Sequence, residues 1–428
     1  MASFTMIVVL IGLMAFRVPI CVSMGISGFA GLAVLGMPLG AFVRYTLTDT
    51  RAVPFLAVPF FILAGNLMNR YGLTRRIFDL LQQLVGFFAG GLAHVTVLTT
   101  LVFGGISGSA VATIAGVGTI IIHAMREAGY RPAFAAALTV AASLMDPLVP
   151  PSIMFILYAV LMNVSVAKMF LAGIVPGLML CIFLICNNLL LARFGIERFP
   201  DRTRGSLDSL LRSAWRGLPA LLTPLVIMRG MTTGLVTPRE AGVLAVLYIV
   251  FLAIVHGEFS WSRTQMALID AARTTSLVML LTGFGSVMGF VMTSERTAAT
   301  LAADIVALTG SQAVVLSIVV VAILFLGIFL EAVPVLLIAV PLFGPLVVSF
   351  GVDPIQFGVV LTFAIMLGIV HPPIGLGIFA VCAVTRLPME PVVRATLLFY
   401  PVLLLSMLLI MFVPQLSTWL PGLVFPGR

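Results

Sequence analysis

Apolar stretches long enough to form helices follow one another along the chain with only short polar turns between them, and two of these stretches are broken by double prolines. Gly129-Tyr130-Arg131-Pro132 leads into Pro150-Pro151, and Gly351-Val352-Asp353-Pro354 leads into Pro372-Pro373. Glycine and all three prolines recur at an offset of 222 residues, so the chain reads as one design written twice. A proline inside an apolar run removes a backbone donor and breaks the helix.

The pattern predicts an all-α polytopic membrane fold with five spans in each copy. They fall at about 3–16, 18–40, 54–70, 132–163 and 168–192, then at about 215–233, 238–256, 272–292, 355–385 and 391–413. Each is near the ~20 residues needed to cross a bilayer, and the two proline-broken spans are longer. Residues 73–88 set apolar side chains at helical spacing against a basic face, which predicts a helix lying along the inner surface. A counterpart is expected to begin near Glu295-Arg296, again 222 residues on. The apolar stretches 92–125 and 313–348 are interrupted near their middles by Gly104-Gly105-Ile106-Ser107-Gly108-Ser109 and by Gly327-Ile328-Phe329-Leu330-Glu331. Both are expected to be re-entrant helical hairpins, because irregular backbone at membrane depth survives only inside protein or against a watery cavity.

Charge sets the orientation. The one long polar stretch, 193–216, holds Arg193, Arg198, Arg202, Arg204, Arg212 and Arg216 against Glu197, Asp201 and Asp208, which places it in the cytoplasm. Counting back, Arg126 and Arg131 fall inside. The equivalent turn of the second copy, Ser349 to Asp353, has no basic residue and falls outside, while Arg386 and Arg394 fall inside. The two copies are therefore expected to be inverted repeats: 1–192 (hairpin 92–125, broken helix 132–163), a linker 193–216, and 217–428 (hairpin 313–348, broken helix 355–385). An odd number of spans per copy puts both termini outside, with Arg44 and Arg51 as a mild exception to the charge rule. The N-terminal run reads as a first span and not as a removed signal peptide, since no basic region precedes it.

Composition agrees. Of 428 residues, 61% are hydrophobic and 9% charged, against roughly 25% charged in a soluble domain. The net charge of +8 is carried almost wholly by arginine, with Lys168 the only lysine, and no basic cluster points to nucleic acid. Cys21, Cys181, Cys186 and Cys382 lie in apolar runs without metal-like spacing and are expected to be buried thiols.

Two hairpin tips and two proline breaks converge near the midplane. Such breaks expose helix ends whose carbonyls bind a cation and whose N–H groups bind a carboxylate, and paired breaks mark the binding site of a secondary transporter. One cation is expected near Ser107, Gly108 and Ser109 with the Ser143–Pro147 break, and another near Glu331 with Gly368 and His371. Hydroxyl, carbonyl and carboxylate oxygens suit a hard ion such as sodium. Asp146 and Glu331 stand out, since an acid at membrane depth costs at least ~2.5 kcal/mol and needs a cation, a proton or a polar partner. Ser109, Pro150, Pro151, Ser152, Pro372 and Pro373 are the residues expected at the substrate. No nucleophile–base pair, zinc-ligand pair or phosphate loop is present, so an intramembrane enzyme is disfavoured. A channel would show one continuous polar stripe.

Several segments together resemble the large membrane subunit of the tripartite ATP-independent periplasmic (TRAP) transporters. They are Pro59 to Met68, Gly105 to Ala112, Tyr130 to Ala137, Pro147 to Ile153, Leu171 to Gly177, Thr237 to Ala241, Ala272 to Thr275, Gly327 to Pro345 and Pro372 to Leu376. The resemblance implies a sodium-driven elevator carrier in the bacterial inner membrane that takes organic acids from a periplasmic binding protein and works with a small four-helix membrane subunit. It implies no cofactor beyond the coupling ions. A proton-coupled carrier of the same fold is the alternative. The family usually has glycine where this chain has Asp146, aspartate at Glu331 and threonine at His371. An arginine common near the end of the span before the second interfacial helix appears here as Ser294, with Arg296 close by, and both join the expected substrate residues.

Overall fold

The computed structural model describes residues 1–88, 90–107, 110–197, 199, 207–297, 299–300, 310–372 and 375–426, and among these it is helical without strands. The first half runs through α1 (Ala2–Ala15), α2 (Ile20–Val34), α3 (Leu39–Thr46), α4 (Ala57–Arg70), α5 (Leu73–Val85), α6 (Gly91–Ser107), α7 (Ala110–Ala115), α8 (Val117–Glu127), α9 (Pro132–Ala142), α10 (Ile153–Met162) and α11 (Val166–Arg193). The second half runs through α12 (Leu207–Leu221), α13 (Thr223–Thr232), α14 (Pro238–Val255), α15 (Trp261–Ser294), α16 (Gln312–Phe329) and α17 (Ala332–Ser349). It continues with α18 (Pro354–Val370), α19 (Leu376–Thr385), α20 (Met389–Thr396), α21 (Tyr400–Phe412) and α22 (Gln415–Val424).

Among the described residues, six helical runs are long and apolar enough to cross a membrane, and a seventh if α20 and α21 are joined across their 51° bend. The expected spans fall on helices, with differences that proline explains. Residues 215–233 form two helices, since Pro219 and Pro224 flank their junction at Leu222. Residues 391–413 bend before Pro401, which opens α21. Residues 272–292 are the inner part of α15, whose 34 residues extend about 51 Å at 1.5 Å per residue. Helix α12 begins by Leu207, inside the expected linker 193–216. The expected interfacial counterpart of α5 falls largely on 301–309, outside the described residues.

Both proline breaks are present. After α9 the chain tightens to a 3-10 turn at Ser143–Met145, passes Pro147, Pro150 and Pro151 (the Pro150–Pro151 bond is cis), and restarts at Ser152. The Ser152 hydroxyl caps α10 by accepting from the Phe155 N–H at 3.3 Å. In the second half Asp353 caps α18, accepting from the N–H groups of Ile355 at 2.7 Å and Gln356 at 3.2 Å. The helix ends at His371, whose N–H bonds the Gly368 carbonyl at 3.0 Å.

The packing of hairpins on breaks recurs in the two halves. Arm α6 lies along α9, and arm α16 lies along α18. The return arms cross over: α7 packs on α19, and α17 packs on α10. Glycine makes the close approaches. A Cβ on Gly104 would meet the Asp146 Cα at 2.5 Å, and one on Gly327 would meet the Gly368 Cα at 3.1 Å.

The long helix α15 joins this centre to the flank. It packs on the glycine face of α2, where Gly25, Gly28 and Gly31 meet Phe284, Val287 and Val291, and its other side meets Leu337 and Pro341 of α17 at Gly285 and Gly289. Helix α5 buries Leu73, Ile77, Phe78 and Leu81, as its periodicity predicts. It is also covered by α12, because Gly217 brings that helix onto the Arg76 carbonyl and Leu80. Arg76 pairs with Glu258, and Arg70 with Asp270. Cys21 and Cys181 are buried as expected, while Cys186 is exposed and Cys382 half-buried on the apolar surface; all four thiols are free.

Candidate functional site

A cavity of about 110 Å³ opens where the two halves meet. Ile153 and Met154, the first residues of α10, form one wall, and Ala332 and Val333, the first residues of α17, form another. Met366 and Ile369 bring in the last turn of α18. Thr274 to Leu281 of α15 and Ile62 of α4 close the far side. Ala110, which opens the short α7, also lines the cavity, so three helix starts and one helix C-terminus border a single space. The first-turn N–H groups carry partial positive charge and the last-turn carbonyls partial negative charge. A carboxylate and a cation therefore find complementary ends within one cavity.

Glu331 is the acid of this cavity. It is the N-cap residue of α17, and its side chain makes no capping hydrogen bond and is accessible. Leu330 and Glu331 are both extended, which turns the chain between α16 and α17.

Asp146 is different. Its side chain is wholly inaccessible and pressed against Gly104. The Thr113 hydroxyl on α7 approaches the carboxylate, but neither oxygen completes a hydrogen bond of normal geometry. Asp146 therefore sits in the contact between α6 and the first break and is not among the described residues lining the cavity. Its counterpart at the 222-residue offset is Gly368.

The remaining expected residues divide. Ser143 is buried and donates its hydroxyl to the Val140 carbonyl at 2.8 Å, one turn back in its own helix. Pro150, Pro151 and Ser152 are buried immediately before the cavity-lining Ile153. His371 is half-buried, and its Nδ1 lies 3.0 Å from the Tyr400 hydroxyl of α21. The backbone of Pro372 forms the turn that follows. Ser107 ends α6, with its side chain outside the described ones; Gly108, Ser109 and Pro373 lie outside the described residues.

Ser294 and Arg296 are not brought to the cavity. Ser294 ends α15 at 13 residues beyond Leu281, about 20 Å along the axis at 1.5 Å per residue, and Arg296 follows it. Both are exposed, and Arg296 adopts a left-handed φ of 52°. The intervening Glu295 caps α1, accepting from the N–H groups of Ala2 and Ser3 at 2.7 Å each. Sequence reasoning missed Ile62 and the stretch from Thr274 to Leu281. The Ala272-Arg273-Thr274-Thr275 segment carried the resemblance without a role, and nothing in its spacing says that α15 faces the cavity.

A helical, apolar chain broken at two sets of prolines suits a multi-pass membrane protein, and its similarity to known proteins gives the family. The pattern described as "Tripartite ATP-independent periplasmic transporter, DctM component" matches residues 7–416. The chain is 34% identical to the sialic acid TRAP transporter large permease protein SiaM of Vibrio cholerae, over 93% of this chain and 98% of that protein. It is 33% identical to the C4-dicarboxylate TRAP transporter large permease protein DctM of Pseudomonas aeruginosa, over 94% of each. Its fold is similar to the crystal structure of the Alcanivorax borkumensis YdaH transporter, with a TM-score of 0.66 at 16% identity, covering 92% of this chain and 90% of that one. The protein is a multi-pass transporter permease and not an enzyme. It belongs to the large permease subunits of the TRAP transporter family.

Proposed function

We propose that this chain imports a small organic acid across the bacterial inner membrane, driven by a sodium gradient, with a periplasmic binding protein delivering the cargo and a small four-helix membrane subunit completing the carrier. The observation that carries the reading is the convergence of the α10 and α17 N-termini with the α18 C-terminus on one cavity. The N-termini would hold the carboxylate, while the α18 carbonyls and Glu331 would hold a cation beside it. The relatives named for sialic acid and C4-dicarboxylate transport support an acidic cargo.

The halves are inverted repeats in this reading, with both termini periplasmic. Recurrence of the arm-on-break and crossed-arm contacts in both halves supports that symmetry. The cavity lies between the hairpins with their breaks on one side and α4 and α15 on the other. An elevator motion would slide the first group along the second, carrying the cargo past the barrier. Sodium-gradient-driven uptake in proteoliposomes, with both partner proteins and a panel of labelled carboxylates, tests the proposal. Accumulation that needs inward sodium is the expected result. Equal accumulation without any sodium gradient would remove the coupling, and no carboxylate uptake at all would remove the function.

A further inference from the structure

The cavity's lining goes further than its ends. Among its described residues only Thr274 and Glu331 are polar, and neither arginine, lysine nor histidine is present. The body of a bound molecule would lie against Ile62, Leu277, Val278 and Leu281 on one side and Met154 and Met366 on the other. We infer that the cargo is a small monocarboxylate with an apolar remainder, an aliphatic or arylalkyl acid carrying at most one further oxygen. This rests on the import reading proposed above and narrows it.

Three features carry the inference. The available space is small, about 110 Å³. The carboxylate has a favourable place at the helix N-termini, and the remaining described side-chain lining offers a single hydroxyl, that of Thr274. Each hydroxyl of a polyhydroxylated sugar acid that finds no partner there would weaken binding by about tenfold. A dicarboxylate meets a different obstacle. With one carboxylate at the N-termini, the other would face either apolar side chains or the Glu331 carboxylate, with no basic side chain among the described lining to offset it. An apolar body faces neither penalty. It gains from displacing water along α15.

The test uses the full chain in lipid nanodiscs with sodium present, and reads the concentration of each acid that gives half-maximal thermal stabilisation. The probes are 4-methyl-2-oxopentanoate, 3-phenylpropanoate, succinate and N-acetylneuraminate. At least one of the first two is expected to act at a concentration about tenfold or more below either of the last two. Val278→Thr, nearly isosteric, and Leu277→Asn on the accessible wall are each expected to raise that concentration severalfold without lowering the melting midpoint of the ligand-free chain. Preference for succinate or N-acetylneuraminate overturns the inference and leaves the import reading standing. Stabilisation by none of the four also overturns it, and if the wider carboxylate panel then fails in sodium-driven uptake, the import reading falls as well. Apolar-acid binding unchanged in both variants, with both folded, would place the acid elsewhere and likewise overturn it.

Discussion

Gly327 and Gly368 lie backbone to backbone: a Cβ built on Gly368 would stand 2.8 Å from the Gly327 Cα, and one built on Gly327 would stand 3.1 Å from the Gly368 Cα. Neither helix can yield locally, since backbone meets backbone. Gly368→Ala is therefore expected to cost about 1–3 kcal/mol of stability and to lower uptake, because it separates arm α16 from the end of α18. Gly422→Ala, where a Cβ meets nothing within 4 Å, is the matched control. Melting midpoints of the two purified variants check this, and equal midpoints would mean that the contact is slack.

The first half places Asp146 where the second has Gly368, and the same residue presses on Gly104. Asp146→Gly is expected to fold normally, because the second half already accommodates glycine at this position. If the carboxylate helps hold a cation at the first break, that variant keeps transport with a higher sodium concentration for half-maximal uptake. An unchanged sodium curve would reduce Asp146 to a packing residue.

Glu331 faces the cavity without a capping duty, so its charge is available to an ion. Glu331→Gln preserves shape and removes that charge. Half-maximal uptake is expected to require several times more sodium, with little change in melting midpoint when sodium is absent. A melting loss with normal sodium dependence would assign the residue a structural task instead.

Inversion of the halves makes a geometric prediction. Cysteines introduced at the exposed Phe88 and Ser311, beside the starts of the two hairpins, should react with an impermeant thiol reagent from opposite faces of the membrane, cytoplasmic and periplasmic respectively. The background must lack Cys186, the exposed native thiol. Reaction of both from one face would end the inverted-repeat reading.

Helix α14 begins with a capping box. Thr237 accepts from the Glu240 N–H at 3.4 Å, and Glu240 accepts from the Thr237 N–H at 2.7 Å. Thr237→Ala removes the hydroxyl that accepts from the Glu240 N–H and is expected to lower stability by about 1 kcal/mol, read as a lower melting midpoint. Thr237→Ser keeps that hydroxyl and is expected to match the parent. An equal loss in both variants would locate the effect outside the cap.

Much of the fold was legible because its determinants are local. Proline cannot continue a helix, so Pro150-Pro151 and Pro372-Pro373 announced their breaks, and the periodicity of 73–88 announced an amphipathic helix, observed over Leu73–Val85. Helix ends governed by packing were less legible. Nothing in the apolar run 272–292 signals a helix that starts at Trp261, and the cover of α12 over α5 depends on Gly217 meeting a backbone more than a hundred residues away.

For the site, the sequence by itself determined the acids, the breaks and the 222-residue repetition, since these follow from residue type and position alone. Tertiary structure decided which of them share a space. Asp146 and Glu331 read alike as acids in apolar surroundings, yet one is sealed against Gly104 and the other lines a cavity. Ser294 and Arg296 read as neighbours of the substrate, and in the fold Ser294 ends the 34-residue α15 with Arg296 just beyond it, 13 residues or more past the cavity-lining Leu281. The apolar wall of Leu277, Val278 and Leu281 was invisible as a site, because an apolar residue carries no mark of whether it faces lipid, core or cargo. That choice is made only when distant helices close around it.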